Sequence, residues 1–225
     1  MPAPRTRPLR SDTLKEFTAL GPRERISRKV VATCPPGDGG AVLVLPGFMH
    51  TDAQTELLRT SLTSLGYQVF GWDLGPNGGP SRQLMEGATK LVTQLAEEHG
   101  PVRLVGFSMG GLLARWLSHR RTAAVRSVVS VMSPFRDPLD SAWFPMRPLL
   151  PFWRDVDIGA LTYMVRQPPP VPWASIYSKR DGIVWWESCV DAEIPERCVE
   201  VKVRHRKAPI EADVFRWIVA CFSEM

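Results

Sequence analysis

The 225-residue sequence predicts an α/β fold, in which a mainly parallel β-sheet carries helices on both faces. Short apolar runs alternate along the chain with segments whose apolar residues recur at helical spacing. Strands and helices in this alternating order form parallel sheets. The run AVLVLPG, residues 41–47, is apolar throughout and ends at Pro-Gly, as expected for a strand buried on both faces.

Seven short apolar runs are predicted to be strands. The first is RKVVAT, residues 28–33, which precedes the long buried run. The others are residues 41–47, 67–72, 102–106, 125–131, 173–178 and 199–203.

Four segments carry helix signals. Thr51 begins one of them with a Thr-x-x-Gln capping pattern, and Gly66 ends it. In residues 81–100 the apolar side chains share one helical face, and the pattern stops at the final glycine. Helices are also predicted from Met109 and over residues 211–222.

The segment 134–172 interrupts this alternation. It is dense in proline and bulky apolar residues, which cannot continue a sheet. A structureless loop of about 40 residues is unusual inside a compact domain. We therefore predict an inserted cap with an apolar underside, and an irregular surface loop is the alternative.

The net charge of +5 is concentrated at the N-terminus. Residues 1–30 hold eight Lys or Arg against three Asp or Glu, so residues 31–225 are neutral overall. Residues 1–29 are predicted to be a basic, solvated and partly disordered arm, and residues 30–225 a single domain. Docking of the arm to an acidic partner or a membrane surface is the alternative. Nucleic-acid binding is not expected, because the domain shows no basic face and no reading motif.

The expected location in the cell rests on targeting, membrane and cysteine patterns that the sequence lacks. No N-terminal stretch has the apolar core of a signal peptide, and no segment reaches the about 18 apolar residues of a transmembrane helix. The four cysteines form no CxxC pair and show no metal-like spacing with histidine. We expect reduced thiols and a cytoplasmic protein without a bound metal, while the oligomeric state is not specified by the sequence.

The pentapeptide Gly106-Phe107-Ser108-Met109-Gly110 has the pattern GxSxG, with an apolar strand pattern directly before it and a helical pattern directly after it. A strand-to-helix elbow needs glycines beside the serine, because the turn is tight and neighbouring backbone approaches closely. Such an elbow raises the hydroxyl above the carboxyl edge of the sheet. Ser108 is therefore the predicted nucleophile.

A nucleophilic serine needs a histidine base and an acid that orients it, in the chain order Ser, Asp or Glu, His. His119 lies eleven residues after Ser108 on the same helix, about 16 Å along its axis, and cannot reach back. His205 is then the remaining candidate base. Asp181 follows a predicted strand in an Asp-Gly turn and is the favoured acid, and Asp137 after the preceding strand is its rival.

Backbone N–H groups must also stabilise the oxyanion. We expect one from Met109, the residue after the nucleophile, and one from Phe48 in the loop after AVLVL, where Gly47 allows a sharp turn. His50 lies near this loop, either at the start of the next helix or in contact with substrate.

With these features the chain resembles the α/β-hydrolase superfamily, in its small bacterial lipase- and esterase-like branch. The resemblance spans about residues 40–220 and rests on VLVLPGFMHTD, on YQVFGWDLGPNGGP with VRLVGFSMGGLLARW, and on SIYSKRDGIVWW. It implies Ser108 as nucleophile, Asp181 as acid and His205 as base. The amides of Phe48 and Met109 would form the oxyanion hole, and no cofactor is implied.

The sequence departs from relatives at two places. The strand before the oxyanion loop ends in Pro46-Gly47 rather than the frequent His-Gly. His205 lies in VRHRKAP, where relatives usually have a Gly-Ser-His type of loop. Its basic neighbours, if they faced inward, would disfavour the imidazolium that forms during acylation unless Asp181 compensated.

The expected function is cofactor-independent cleavage of a carboxylic ester or thioester with an apolar acyl or alcohol part. An acyltransferase or biosynthetic thioesterase with the same triad is one alternative, and an inactive binding protein with this fold is another. An apolar wall of the site could come from Trp143, Phe144, Met146, Trp153, Trp185 and Trp186, although each of these residues taken singly is more expected in the core than in the pocket.

Overall fold

The computed structural model describes residues 10–18, 24–142, 147–153 and 155–225. Six parallel strands form one sheet in these residues. They are β1 (Ala41–Leu45), β2 (Gln68–Gly71), β3 (Val102–Phe107), β4 (Val125–Val131), β5 (Trp173–Tyr177) and β6 (Cys198–Glu200). The sheet order is β2-β1-β3-β4-β5-β6.

Helices cover both faces of the sheet. Their bounds are α1 (Arg10–Thr18), α2 (Arg28–Val31), α3 (Glu56–Ser64), α4 (Arg82–His99), α5 (Met109–Arg120), α6 (Ile158–Arg166) and α7 (Ala212–Glu224). Alternate residues of β1 point to opposite sides, Val42 and Val44 towards α3 and α7, and Leu43 and Leu45 towards α4 and α5. The predicted parallel α/β architecture is therefore confirmed. None of the helices described is both long and apolar enough to cross a membrane.

The predicted first strand is wrong. The segment RKVVAT begins with the short helix α2, whose N-terminus is capped by Ser27: its Oγ accepts the Val30 N–H at 3.4 Å. Val30 is buried in the cluster that α3 and α7 share. A single buried residue satisfies the apolar pattern of so short a run, so periodicity does not distinguish helix from strand here. The other six predicted strands are present.

Part of the N-terminal segment packs against the domain. Residues 10–18 form α1, and Glu16 on this helix is only 3% exposed. Arg25 pairs with Glu211 in an isolated β-bridge, and Ile26 is buried. For these residues the structure differs from the solvated arm that composition predicts, because the acid and the apolar side chain find partners in the domain. The domain boundary at residue 30 stays a prediction.

The segment between β4 and β5 contains a 3-10 helix, Arg147–Trp153, and α6. A fully buried arginine of α5, Arg115, fastens α6 to the domain. Its Nε and Nη2 donate to the carbonyls of Val165 and Gln167 at 2.7 and 2.8 Å, and its guanidinium lies 3.9 Å from the Phe135 ring centroid. Burial lowers the pKa of Arg115 to about 10. Because the whole guanidinium is buried, it anchors the end of α6 and is not available to bind a ligand at the surface.

Candidate active site

Ser108 occupies a strained turn between β3 and α5. Its φ of 51° and ψ of −117° lie where non-glycine residues are rarely found, at a cost of about 1–3 kcal/mol. The Ser108 N–H donates to the Val131 carbonyl at 2.8 Å, which ties the elbow to the end of β4. A Cβ at Gly106 would collide with the Gly110 carbonyl. The glycine on the strand side of the motif is therefore required by the closeness of the backbone across the turn.

His205 and Asp181 form a hydrogen-bonded pair, with 2.7 Å between Nδ1 and Oδ2. The Asp181 side chain is 1% exposed and that of His205 is 11% exposed. The other carboxylate oxygen of Asp181 accepts the N–H groups of Ile183 and Val184 at 2.8 and 2.9 Å. Because the carboxylate can only accept, His205 carries its proton on Nδ1, and the lone pair of Nε2 is free to act as a base.

Ser178 holds the loop of the acid against the segment that leads to the histidine. Its Oγ donates to the Val203 carbonyl at 2.6 Å and accepts the Arg180 N–H at 3.0 Å. The Asp181 N–H donates to the Ser178 carbonyl at 3.1 Å. These hydrogen bonds therefore join the two loops where they leave the carboxyl edge of the sheet.

The surroundings of His205 favour its charged form. Burial lowers the pKa of His205, but the charge and hydrogen bond of Asp181 and the charge of Glu16 raise it, and the pKa lies above its ordinary value. The basic neighbour Arg206 is exposed and lies over the Phe17 ring, 4.7 Å from its centroid. The net effect is a raised pKa of His205 rather than the depression that inward-facing basic residues would cause.

Ser108 and His205 line the same cleft, which has a volume of about 230 Å³ and is also lined by Phe48, His50 and Met109. The structure thus brings these four residues to one cleft with Ser108, and Asp181 lies behind His205. The rival acid Asp137 is buried elsewhere, where its backbone carbonyl accepts the Ser141 hydroxyl.

The two expected oxyanion donors flank the serine. Met109 is the first residue of α5, so its N–H has no acceptor within the helix. Phe48 lies in the loop after β1, which runs close to the elbow: a Cβ at Gly47 would be 3.5 Å from Ser108 Cβ. The Phe48 ring meets Trp153 edge-on, with 6.5 Å between centroids.

His50 combines both expected positions. It lies immediately before Thr51, which forms a capping box with Gln54, and it also lines the cleft. Burial and the positive charges of His205 and Arg206 lower the pKa of His50. A neutral imidazole therefore faces the cleft opposite the base.

Asn77 supports the oxyanion loop, and sequence reasoning missed it. Its buried side chain donates to the Pro46 carbonyl at 2.8 Å and accepts the Gly79 N–H at 3.1 Å. Its backbone N–H donates to the His50 carbonyl and its carbonyl accepts the Met49 N–H, at 2.9 and 2.8 Å. The sequence signal was the stretch Gly-Pro-Asn-Gly-Gly, which indicates a turn but not what the turn holds.

An apolar cavity of about 40 Å³ lies under α6 and adjoins the cleft. The two share Met109, Leu112 and Pro138 as walls. Trp153 closes the cavity, and its Nε1 donates to the Gly78 carbonyl at 2.9 Å.

The other aromatic residues expected in the wall lie elsewhere. Among the described residues Trp185 and Trp186 line neither space: Trp185 is buried, and Trp186 stacks on Tyr177, with 5.6 Å between the ring centroids. Trp143, Phe144 and Met146 lie outside the described residues.

A serine at a strand-to-helix elbow, facing an Asp–His pair across the carboxyl edge of a parallel sheet, defines a class of α/β proteins. The sequence model of the family described as alpha/beta hydrolase fold matches residues 40–162, more than half of the chain. The chain therefore belongs to the alpha/beta hydrolase fold family. No curated protein matches it in sequence.

Solved structures share this fold at low sequence identity. A structure reported with the metagenome-derived lipolytic enzymes LipS and LipT has a TM-score of 0.65 at 16% identity, covering 85% of this chain and 96% of that one. The monoacylglycerol lipase of Paleococcus ferrophilus has a TM-score of 0.61 at 15% identity, with coverage of 85% and 97%. The thioesterase domain from the curacin biosynthetic pathway has a TM-score of 0.50 at 13% identity, with coverage of 84% and 93%.

Proposed function

We propose that this protein is a serine hydrolase that cleaves carboxylic esters or thioesters with an apolar acyl or alcohol part. The observation that carries the proposal is that Ser108, on its strained elbow, and His205, paired with Asp181 at 2.7 Å, open on one cleft. An activated serine, a base and an orienting acid in this arrangement perform acyl transfer. In this proposal Ser108, His205 and Asp181 are the catalytic triad.

Acylation begins when Ser108 Oγ attacks the carbonyl carbon and His205 Nε2 takes the hydroxyl proton. The carbonyl oxygen becomes an oxyanion and accepts hydrogen bonds from the N–H groups of Phe48 and Met109. When this intermediate collapses, the bond from carbon to the leaving oxygen or sulfur breaks. His205 then gives its proton to the departing alcohol or thiol, and the acyl group remains on Ser108.

Deacylation repeats the sequence with water. His205 removes a proton from water as its oxygen attacks the acyl carbon, and then returns that proton to Ser108 Oγ as the ester bond to the serine breaks. Asp181 stays ionised throughout and stabilises the imidazolium formed in each half-reaction. The raised pKa of His205 is in keeping with this role, because the same contacts that raise it favour the charged intermediate.

The apolar cavity under α6 supports an apolar substrate group. Carbon chains gain about 0.8 kcal/mol for each CH₂ removed from water, so a dry space beside the nucleophile favours esters with extended acyl or alcohol chains. The lipolytic and thioesterase activities named for the structurally similar proteins fit this substrate class. The four cysteines are free thiols, which supports the proposed cytoplasmic location.

The proposal is tested by labelling with a fluorophosphonate probe and by turnover of p-nitrophenyl esters of increasing acyl length. We expect one label per chain and hydrolysis of acyl chains longer than acetyl. Ser108→Ala should abolish both, while Ser223→Ala, a matched exposed substitution on α7, should leave both unchanged. Intact protein that stays unlabelled, or equal labelling of Ser108→Ala, refutes the proposal.

The same experiment separates the alternatives. An acyltransferase would label but would pass its acyl group to an added alcohol or thiol in preference to water. A binding protein without catalysis would show neither a burst nor turnover. The basic neighbours of His205 were the main support for that alternative, and the exposed position of Arg206 together with the carboxylate of Glu16 weakens it.

A further inference from the structure

A second buried carboxylate adjoins the Asp–His pair and comes from the N-terminal helix. Glu16 on α1 is 3% exposed. Its Oε1 accepts the N–H groups of His205 and Gly182 at 3.0 and 2.9 Å, and its Oε2 accepts the N–H of Arg206 at 3.1 Å. A carboxylate removed from water is tolerated when several donors satisfy it, and here three backbone donors do so.

These bonds join the loops that carry the acid and the base. Gly182 directly follows Asp181, so one carboxylate group spans both partners of the pair. Thr13, also on α1, donates its hydroxyl to the Gly182 carbonyl at 2.7 Å. A Cβ at Gly182 would lie 2.5 Å from the Asp12 carbonyl oxygen, so the helix touches this turn at backbone distance. The glycine of the Asp-Gly turn is therefore needed for the docking of α1.

Glu16 also changes the electrostatic setting of the base. His205 faces Asp181 from the acid loop, His50 from the oxyanion loop, Glu16 from α1 and Ser108 from the elbow. On its own segment it has the basic neighbours Arg204, Arg206 and Lys207. Glu16 adds negative charge directly beside this segment, because its carboxylate accepts the backbone N–H groups of His205 and Arg206. It therefore offsets the feature by which this histidine loop departs most from the expected pattern.

We propose that Glu16 is a positioning residue for the reaction: its carboxylate holds the His205 and Asp181 loops together and offsets the basic residues beside His205. The inference rests on the proposed hydrolase function, because it assigns Glu16 to the support of that triad. Helix α1 then belongs to the active site rather than to a detached arm. Glu16 does not touch the reacting atoms and acts through His205.

The test compares Glu16→Gln with Glu24→Gln. Both remove one glutamate charge, but Glu24 is exposed, pairs with Arg216 on α7 and does not line the cleft. Glutamine at position 16 places an N–H₂ group against backbone N–H donors and loses the charge. We expect kcat to fall about 10- to 100-fold, as for a small displacement of catalytic groups. We also expect the acid limb of the pH profile of kcat/KM to move to lower pH, because a negative charge that raises the pKa of His205 is lost.

The outcomes separate this inference from the proposed function. Wild-type protein that neither labels with the fluorophosphonate nor hydrolyses esters refutes both. An active wild type in which Glu16→Gln matches Glu24→Gln in kcat and in the acid limb refutes the role of Glu16 alone. A lower kcat with an unmoved acid limb refutes the electrostatic part, since a purely structural loss would not move the limb.

A second variant guards against failure of Glu16→Gln to fold, which thermal melting would reveal. Glu16→Asp keeps the charge but shortens the side chain by one carbon. We expect it to retain the acid limb near that of the wild type and to lose kcat, because the carboxylate no longer reaches both loops. A kcat equal to that of the wild type contradicts the positioning role.

Discussion

Gly110→Ala tests how closely the serine elbow must approach β1. A Cβ at this position would lie 2.6 Å from the Pro46 carbonyl oxygen and 2.7 Å from the Leu45 carbonyl carbon, and closer still to the Leu45 oxygen. Cβ atoms essentially never come within 3.0 Å of such atoms. All of these neighbours are backbone atoms. β1 lies inside the sheet between β2 and β3, so it cannot move aside cheaply.

The required displacement sets the expected effect. Moving the Pro46 oxygen from 2.6 Å to an ordinary contact of 3.4 Å separates the first turn of α5 from the loop after β1 by at least 0.8 Å, because the Leu45 oxygen is closer still. Overpacking of this kind costs about 1–3 kcal/mol of folding free energy. The same movement separates Ser108 from the amide of Phe48, and a misplacement of this size costs about 100-fold in rate. We therefore expect a folded, less stable protein whose kcat/KM is about 100-fold lower.

The measurement is thermal unfolding together with kcat/KM for a p-nitrophenyl ester. Gly87→Ala is the matched control: it lies within α4, and its new Cβ would meet only the ends of the exposed Leu74 side chain, at 3.2 Å. Alanine in a helix interior is about 0.5–1 kcal/mol better than glycine, so this variant should be as stable as the wild type or more so. If Gly110→Ala matches Gly87→Ala in both measurements, the close approach does not constrain the site.

Three further outcomes follow from the geometry. Asp181→Asn should lower kcat about 10³- to 10⁴-fold by releasing the His205 tautomer, whereas Asp137→Asn should keep the rate within about 10-fold; the reverse order would make Asp137 the acid. The pKa of His205 is raised, and only the neutral imidazole can accept the serine proton. We therefore expect kcat/KM to fall as the pH drops through a value above 6.5. A pH profile of kcat/KM whose acid limb lies below 6.5 contradicts this. Ile158→Trp, which fills the cavity under α6, should lower kcat/KM for long acyl chains about 10-fold or more relative to kcat/KM for acetyl. Tyr163→Trp, on the exposed side of the same helix, should leave this ratio unchanged. Equal ratios in the two variants would exclude the cavity as the acyl site.

Most of the fold could be predicted because its signals are local. The six strands of the sheet are continuous apolar runs, and long helices such as α4 show a clear apolar face. The segment RKVVAT could not be predicted in this way. With one buried residue on α2, its structure depends on the Ser27 cap and on packing against α3 and α7.

The candidate site, like the fold, could be predicted only in part. Ser108 is recognisable because the elbow requires glycines at fixed spacing around it. His205 is recognisable because, of the two histidines that follow Ser108, His119 lies too far along α5. Asp181 and Asp137 both follow strands, and sequence left a choice between them. Only the Nδ1–Oδ2 contact pairs His205 with Asp181.

The sequence by itself determined the parallel sheet and the position of the serine elbow, because each depends on residue type and spacing within a short segment. It proposed His205 as the base only by elimination. Tertiary structure alone decided that α1 docks beside the triad. Glu16 and the His205 N–H are 189 residues apart, and nothing in the pattern of either segment specifies the other. Composition predicts a solvated basic arm there, because it counts charges and cannot show that a single acid meets three backbone donors of the domain.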